Sequence, residues 1–113
     1  SRAEKIAKYY GSFVQDEQFQ TYFEELALLF SEENNNALEE KLLSSNYIDK
    51  SMKHLMMTGI YTVKLDNSKT NEWAKKARKA GAYEKQLAEL GQICLLTAGI
   101  PAWFEISDAL LEK

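Results

Sequence analysis

The stretch that most constrains the fold is DEQFQTYFEELALLFSEE, residues 16–33. Its large apolar residues recur at intervals of three and four positions, which is the spacing of one side of an α-helix: Phe19, Tyr22, Phe23, Leu26, Leu29 and Phe30. At ~100° per residue they cover roughly 120° of arc. Asp16 is suited to cap such a helix, and early acids suit the positive end of its dipole. The stretch therefore predicts an amphipathic helix.

Helical periodicity dominates the rest of the chain as well. We predict further helices at 3–14, 37–43, 47–58, from 72 onward, and 101–112. Gly81 is expected to kink or divide the helix that begins at Glu72, and Gly99 to end it before Pro101 opens the last one. At 113 residues the chain is most simply one domain, residues 1–113. The predicted fold class is all-α, a compact bundle of five to seven short helices.

The secondary structure of the segment IYTVKLD, residues 60–66, is ambiguous. Tyr61, Val63 and Leu65 alternate with other residues, as in a β-strand. No second strand is evident nearby to pair with it, so we expect an extended connector or a fraying helix end. The segment DNSKTN, residues 66–71, is typical of a loop with capping residues.

Composition narrows the class of protein. Asp and Glu number 17 against 14 Lys and Arg, which argues against a basic nucleic-acid-binding domain. The most apolar window, residues 93–111, contains Pro101, Glu105 and Asp108, so no membrane span is predicted. A single cysteine excludes an internal disulfide, and we expect a cytoplasmic protein. Because the chain begins at Ser1 and not at Met, a leader or a further domain is left open.

Motifs that carry chemistry are missing from the sequence. The one histidine, His54, excludes the HExxH zinc site, and Cys94 lies in an apolar run without cationic neighbours. A pairing of Cys94 with His54 is the weaker alternative to two packed side chains. The glycines are isolated from one another, so no phosphate-binding loop is predicted. We expect no catalysis, no metal and no cofactor.

Two charged helix faces are candidate binding surfaces. Glu24, Glu25, Leu28 and Glu32 place an apolar residue among acids, opposite the aromatic stripe of residues 16–33. A solvated face is the simpler interpretation, and the leucine among carboxylates motivates the hypothesis that this face docks a basic protein partner. The second face contains the cluster Lys75, Lys76, Arg78 and Lys79, which would contact nucleic acid if the chain were a helical regulator. Trp73 falls on the opposite, small-residue side, so we expect the cluster to be the solvated side of a packed helix.

The last predicted helix has an unusually wide apolar arc, roughly 160° of the helix surface. It includes Trp103, Phe104 and Leu111. Such an arc indicates either a helix deeply packed in the core or half of a homodimer interface, where aromatic residues are favoured. The function predicted from the sequence is a small non-catalytic protein-binding module, such as an accessory subunit, an inhibitor or an immunity-type protein.

Overall fold

A computed structural model of the chain describes residues 16–111, together with Ser1, Arg2, Lys5 and Tyr9. Within 16–111 the chain forms six helices and no strand: α1 (Glu17–Ser31), α2 (Asn35–Leu42), α3 (Lys50–Val63), α4 (Asn67–Lys79), α5 (Glu84–Ala98) and α6 (Ile100–Leu111). This confirms the predicted all-α class. The helix predicted at 3–14 lies outside the described residues apart from Lys5 and Tyr9.

The chain divides into two compact units, Ser1–Leu42 and Leu43–Lys113. The first contains α1 and α2. The predicted cap is confirmed, because the Asp16 side chain accepts a hydrogen bond from the Phe19 amide at 3.0 Å. In the turn between the helices, Asn34 accepts from the Ala37 amide at 3.2 Å and so caps α2. No residue of α1 is buried.

The second unit is a bundle of the four helices α3 to α6. Contacts join α3 to α4, α4 to α6, α6 to α5 and α5 back to α3, so the helices close a ring around one core. The centre of this core contains mostly small side chains: Ala74, Ala77, Ala82, Leu87 and Ala109. Leu55 of α3 and Leu110 of α6 pack against it. Because interaxial distance depends on the side chains at the contact, these alanines allow the helices to approach closely.

Two glycines mark the closest helix approaches in this bundle. A Cβ atom placed on Gly91 of α5 would lie 2.5 Å from the Ile106 Cγ2 of α6 and 3.0 Å from the ring of Trp103. A Cβ atom on Gly59 of α3 would lie 3.0 Å from the Leu90 Cδ1 of α5. Gly91 thus faces the fully buried Ile106, whereas Gly59 faces the end of a half-buried leucine.

Of the two alternatives for residues 60–66, the extended connector is wrong for the first half, because residues 60–63 are the end of α3. Thr62 is fully buried, and its hydroxyl donates to the Thr58 carbonyl one turn earlier at 2.7 Å, a bond that requires a helix. The Tyr61 ring stacks on Trp73 of α4, with centroids 6.4 Å apart. Burial and helix packing therefore override the β-propensity of these residues.

The end of α3 is a left-handed turn. Leu65 has φ 59°, and the Asp66 amide donates to the Tyr61 carbonyl at 3.1 Å, the hydrogen bond of a Schellman motif. Asp66 then caps α4 at once by accepting from the Lys69 amide at 3.1 Å. The loop predicted over 66–71 is therefore wrong beyond its first residue, and α4 begins at Asn67 rather than Glu72. The division at Gly81 and the helix stop at Gly99 are confirmed.

Candidate functional site

The acidic face predicted on α1 is on the surface of the protein. Leu28 is 58% exposed, and Glu24, Glu25 and Glu32 are exposed as well. At ~100° per residue the four positions fall within about 100° of arc, so they form one continuous patch. Glu32 is also the C-cap residue of α1, and its amide donates to the Leu28 carbonyl at 3.0 Å. The helical hydrogen bonding of the backbone therefore continues to Glu32, the last residue of the patch.

One carboxylate of this face is already paired. Lys41 of α2 forms a salt bridge with Glu25, and its ammonium group also lies 5.7 Å from the centre of the Tyr22 ring. Glu24 and Glu32 form no ion pair with any residue that the structure describes. The negative charge open to a ligand is accordingly concentrated at these two residues, on either side of Leu28.

The basic cluster of α4 is divided by the structure into two kinds of residue. Arg78 is a structural residue, with its side chain only 19% exposed. Its Nε donates to Glu84 at 2.6 Å, one guanidinium nitrogen donates to the other Glu84 oxygen at 3.1 Å, and the same nitrogen donates to the Ala109 carbonyl at 2.9 Å. This bidentate pair joins the end of α4 to the beginning of α5 and the end of α6.

The remaining cations of the cluster lie closer to solvent. Lys76 pairs with Glu72 at 3.4 Å, as the i,i+4 spacing predicts, and lies 4.2 Å from the centroid of the Trp73 ring. Trp73 itself is buried, which confirms that it faces the small-residue side of α4. Lys75 and Lys79 are exposed. Only two of the four cations are therefore exposed and unpaired among the described residues, and no exposed aromatic residue of α4 accompanies them.

The apolar arc of α6 is partly core and partly surface. Ile106 is fully buried, and Trp103 packs its ring against Gly91 of α5. Phe104 and Leu111 are exposed, Leu111 to 84%. Of the three residues predicted as a dimer interface, Trp103 is thus half-buried within its own bundle, while the other two form an exposed apolar strip.

His54 and Cys94 face different neighbours. The His54 Nδ1 lies 2.7 Å from the Lys50 carbonyl, and since a carbonyl only accepts, Nδ1 carries the proton. Its ring lies 5.9 Å from that of Trp73. The Cys94 thiol contacts the Gly59 carbonyl at 3.9 Å, and burial raises its pKa above the ordinary value. Both side chains are buried, and each bonds to a backbone carbonyl instead of to the other.

A surface that the sequence analysis did not single out lies on α3. Its exposed apolar residues are Met52, Met56, Ile60 and Val63, and the first three are each 45–50% exposed. Their spacing of four, four and three residues is also that of a buried helix side, so the pattern alone does not place them on the surface. In the structure the buried side instead consists of His54, Thr58, Gly59 and Thr62.

No known protein family and no curated protein matches the chain. Among the described residues, no group of three or more His, Cys, Asp or Glu side chains is arranged to hold a metal ion. None of the helices in residues 16–111 has both the length and the hydropathy needed to cross a bilayer. Candidate functions must therefore be argued from the surfaces described above.

Proposed function

We propose that the protein is a small non-catalytic protein-binding module whose acidic face on α1 docks a basic protein surface. The observation that carries this proposal is Leu28, a large apolar side chain that is 58% exposed between two carboxylates, Glu24 and Glu32. A central apolar residue with a charged rim is the arrangement expected of a contact site, since the apolar centre supplies affinity and the rim supplies orientation.

The chemistry of the partner follows from the charges. Glu24 and Glu32 would pair with Lys or Arg, and Leu28 would enter an apolar depression between those cations. Glu25 is already held by Lys41, which leaves it less available to a partner. An accessory subunit, an inhibitor and an immunity-type protein would each use such a surface, and homodimerisation through Phe104 and Leu111 is compatible with all three.

The proposal is tested with two designed peptides. One is an amphipathic helix about five turns long, with Leu on one side and Lys on the other. Its twin replaces every Lys with Glu. We expect fluorescence anisotropy to detect binding of the Lys peptide to the protein, and we expect Leu28→Lys combined with Glu24→Lys to weaken that binding about tenfold or more. Equal binding of the Lys peptide to the protein and to this variant would contradict the proposal.

A matched control has the same two types of substitution on another helix. Leu96 and Glu89 are exposed on α5, and Leu96→Lys with Glu89→Lys changes the charge by the same amount and also replaces an exposed leucine. We expect this variant to bind the Lys peptide nearly as well as the unmodified protein. A similar loss in both variants would indicate attraction by net charge alone.

A second experiment distinguishes the proposed function from its alternative. In that alternative the protein is a helical regulator that binds nucleic acid through Lys75, Lys76, Arg78 and Lys79. Such a regulator would be retained on an immobilised polyanion and elute with salt. The ion pair between Arg78 and Glu84 favours the protein-binding proposal, because a guanidinium group that is paired within the protein is not available to a phosphate. We expect no retention at physiological ionic strength.

A further inference from the structure

The exposed side of α3 has the features of a second docking surface, independent of the acidic face. Met52, Met56, Ile60 and Val63 form an apolar stripe that extends from the first turn of α3 to its last. Two of its members are methionines, which adapt in shape and are frequent on surfaces that bind helices. We call these four residues the α3 stripe.

The α3 stripe lies beside the contact between α3 and α5. Gly59 of α3 approaches Leu90 of α5, and the thiol of Cys94 contacts the Gly59 carbonyl. On the helical wheel the stripe lies on the solvent side of Gly59, within about 100° of it. Ile93 of α5, which is 56% exposed, occupies the matching position beside Leu90. Exposed apolar residues of both helices therefore border the line of contact between α3 and α5, which we call the groove.

The charges of α3 have one sign. Between Lys50 and Leu65 the chain has three lysines and no Asp or Glu. On the helical wheel Lys50, Lys53 and Lys64 all lie on the side of the α3 stripe away from α5. Lys53 donates to the Ser44 carbonyl at 2.8 Å, and the Lys64 ammonium lies 5.6 Å from the centre of the Tyr61 ring.

Lys50 and Lys64 differ in their pairing from three cations of α4. Lys69 and Lys76 both pair with Glu72, and Arg78 pairs with Glu84. Lys50 and Lys64, by contrast, form no ion pair with any described residue. The positive charge of Lys50 and Lys64 is therefore not neutralised by an ion pair with a described carboxylate.

We propose that this groove docks an acidic amphipathic helix of a partner protein. The apolar side of that helix covers the α3 stripe and Ile93, and its carboxylates face Lys50, Lys53 and Lys64. An amphipathic helix in an apolar groove is a recurrent mode of recognition, with anchors spaced at three and four residues. The same spacing in the α3 stripe lets successive turns of the partner meet successive apolar residues, and the lysines select an acidic helix over a basic one.

The peptide pair described under Proposed function tests this second surface as well. We expect the Glu peptide to bind the full chain and to shift the amide and methyl NMR signals of Met52, Met56 and Ile60. Met56→Lys with Ile60→Lys should weaken binding of the Glu peptide about tenfold or more, and Phe104→Lys with Leu111→Lys should leave it within about twofold. Unchanged helical circular dichroism in both variants ensures that the protein is still folded.

A second variant, with altered charges only, tests the proposal if Met56→Lys with Ile60→Lys fails to fold. Lys50→Glu with Lys64→Glu leaves the α3 stripe intact, and it should lower the affinity for the Glu peptide and raise the affinity for the Lys peptide. Failure of the Glu peptide to bind the unmodified protein would overturn the proposal, as would shifts confined to residues outside α3 and α5. Because the Lys peptide reports on Leu28 and the Glu peptide on the α3 stripe, failure of one proposal is distinguishable from failure of the other.

Discussion

The helix with a long stripe of large apolar residues and the most polar helix behave in opposite ways. α1 has six large apolar residues in register on one side, yet none of its residues is buried. α4, the sequence NSKTNEWAKKARK, is the most polar of the described helices, and it buries Thr70, Trp73, Ala74 and Ala77. Apolar periodicity therefore predicts that a helix forms, but it does not predict how much of the helix is buried.

The physical reason lies in the size of the side chains at the contacts. In the bundle of residues 43–113, alanines and glycines let the helix axes come close, so that a small side chain becomes fully enclosed by its neighbours. In the first unit the aromatic side chains of α1 have only α2 to pack against among the described helices of that unit, and α2 contains just eight residues. Phe30 is accordingly 74% exposed. Burial depends on the number of partners around a helix more than on its own hydropathy.

The largest expected effect is the difference in stability loss between one substitution in the bundle and one in the first unit. Leu87→Ala removes a fully buried side chain at the centre of the bundle, and we expect it to lower the free energy of unfolding by ~2–5 kcal/mol. Leu28→Ala in α1 should cost less than ~0.5 kcal/mol, because that leucine is mostly exposed. Urea denaturation followed by far-ultraviolet circular dichroism measures both. Similar costs at the two positions would mean that the contrast between the two units is wrong.

The close helix approaches are tested by a pair of glycine substitutions. In Gly91→Ala the new methyl group would overlap with Ile106, so we expect a loss of ~1–3 kcal/mol despite the better helix propensity of alanine. Gly59→Ala meets only the end of the Leu90 side chain, which can rotate, so its cost should be below ~1 kcal/mol. Both tryptophans, Trp73 and Trp103, belong to this unit, so tryptophan fluorescence follows its unfolding. A more stable Gly91→Ala variant would contradict the close packing.

Within the basic cluster, Arg78 and Lys79 are expected to behave differently. Arg78→Ala removes three hydrogen bonds that join three helices, so we expect a loss of ~1–2 kcal/mol. Lys79→Ala should change stability by less than ~0.5 kcal/mol, because its side chain is exposed. Thermal unfolding at low and high salt provides the measurement. Equal effects for the two variants would support a shared role for the whole cluster on the surface.

The smallest effect concerns the cap of α3. Hydrogen bonds from the Ser51 side chain and backbone lower the pKa of Asp49 below its ordinary value. A carboxyl with a lowered pKa stabilises the folded state above its unfolded pKa, and this contribution disappears as pH falls through the folded pKa. The stability difference between the protein and Asp49→Asn should therefore be constant from neutral pH to about pH 5 and shrink below pH 4. A difference independent of pH across this range would exclude the carboxylate as the stabilising group.

The polar surfaces illustrate what helical position alone can predict. The exposure of the acidic face on α1, the pairing of Glu72 with Lys76 and the burial of Trp73 all follow from positions on a helical wheel. The role of Arg78 does not follow, because its partners Glu84 and Ala109 come from two other helices. The α3 stripe was missed for a similar reason: apolar spacing does not indicate which side of a helix its neighbours cover.

The sequence by itself determined the all-α class, the caps at Asp16 and Asp66 and the breaks at Gly81 and Gly99. These features depend on residues near one another in the chain, through backbone conformation and local hydrogen bonds. Only the tertiary structure decided that residues 60–63 stay helical and that alanines make up most of the core. It also decided that the methionines of α3 lie on the surface. Burial of Thr62 and the stacking of Tyr61 on Trp73 require neighbours from distant parts of the chain, and those neighbours are assembled only by the fold.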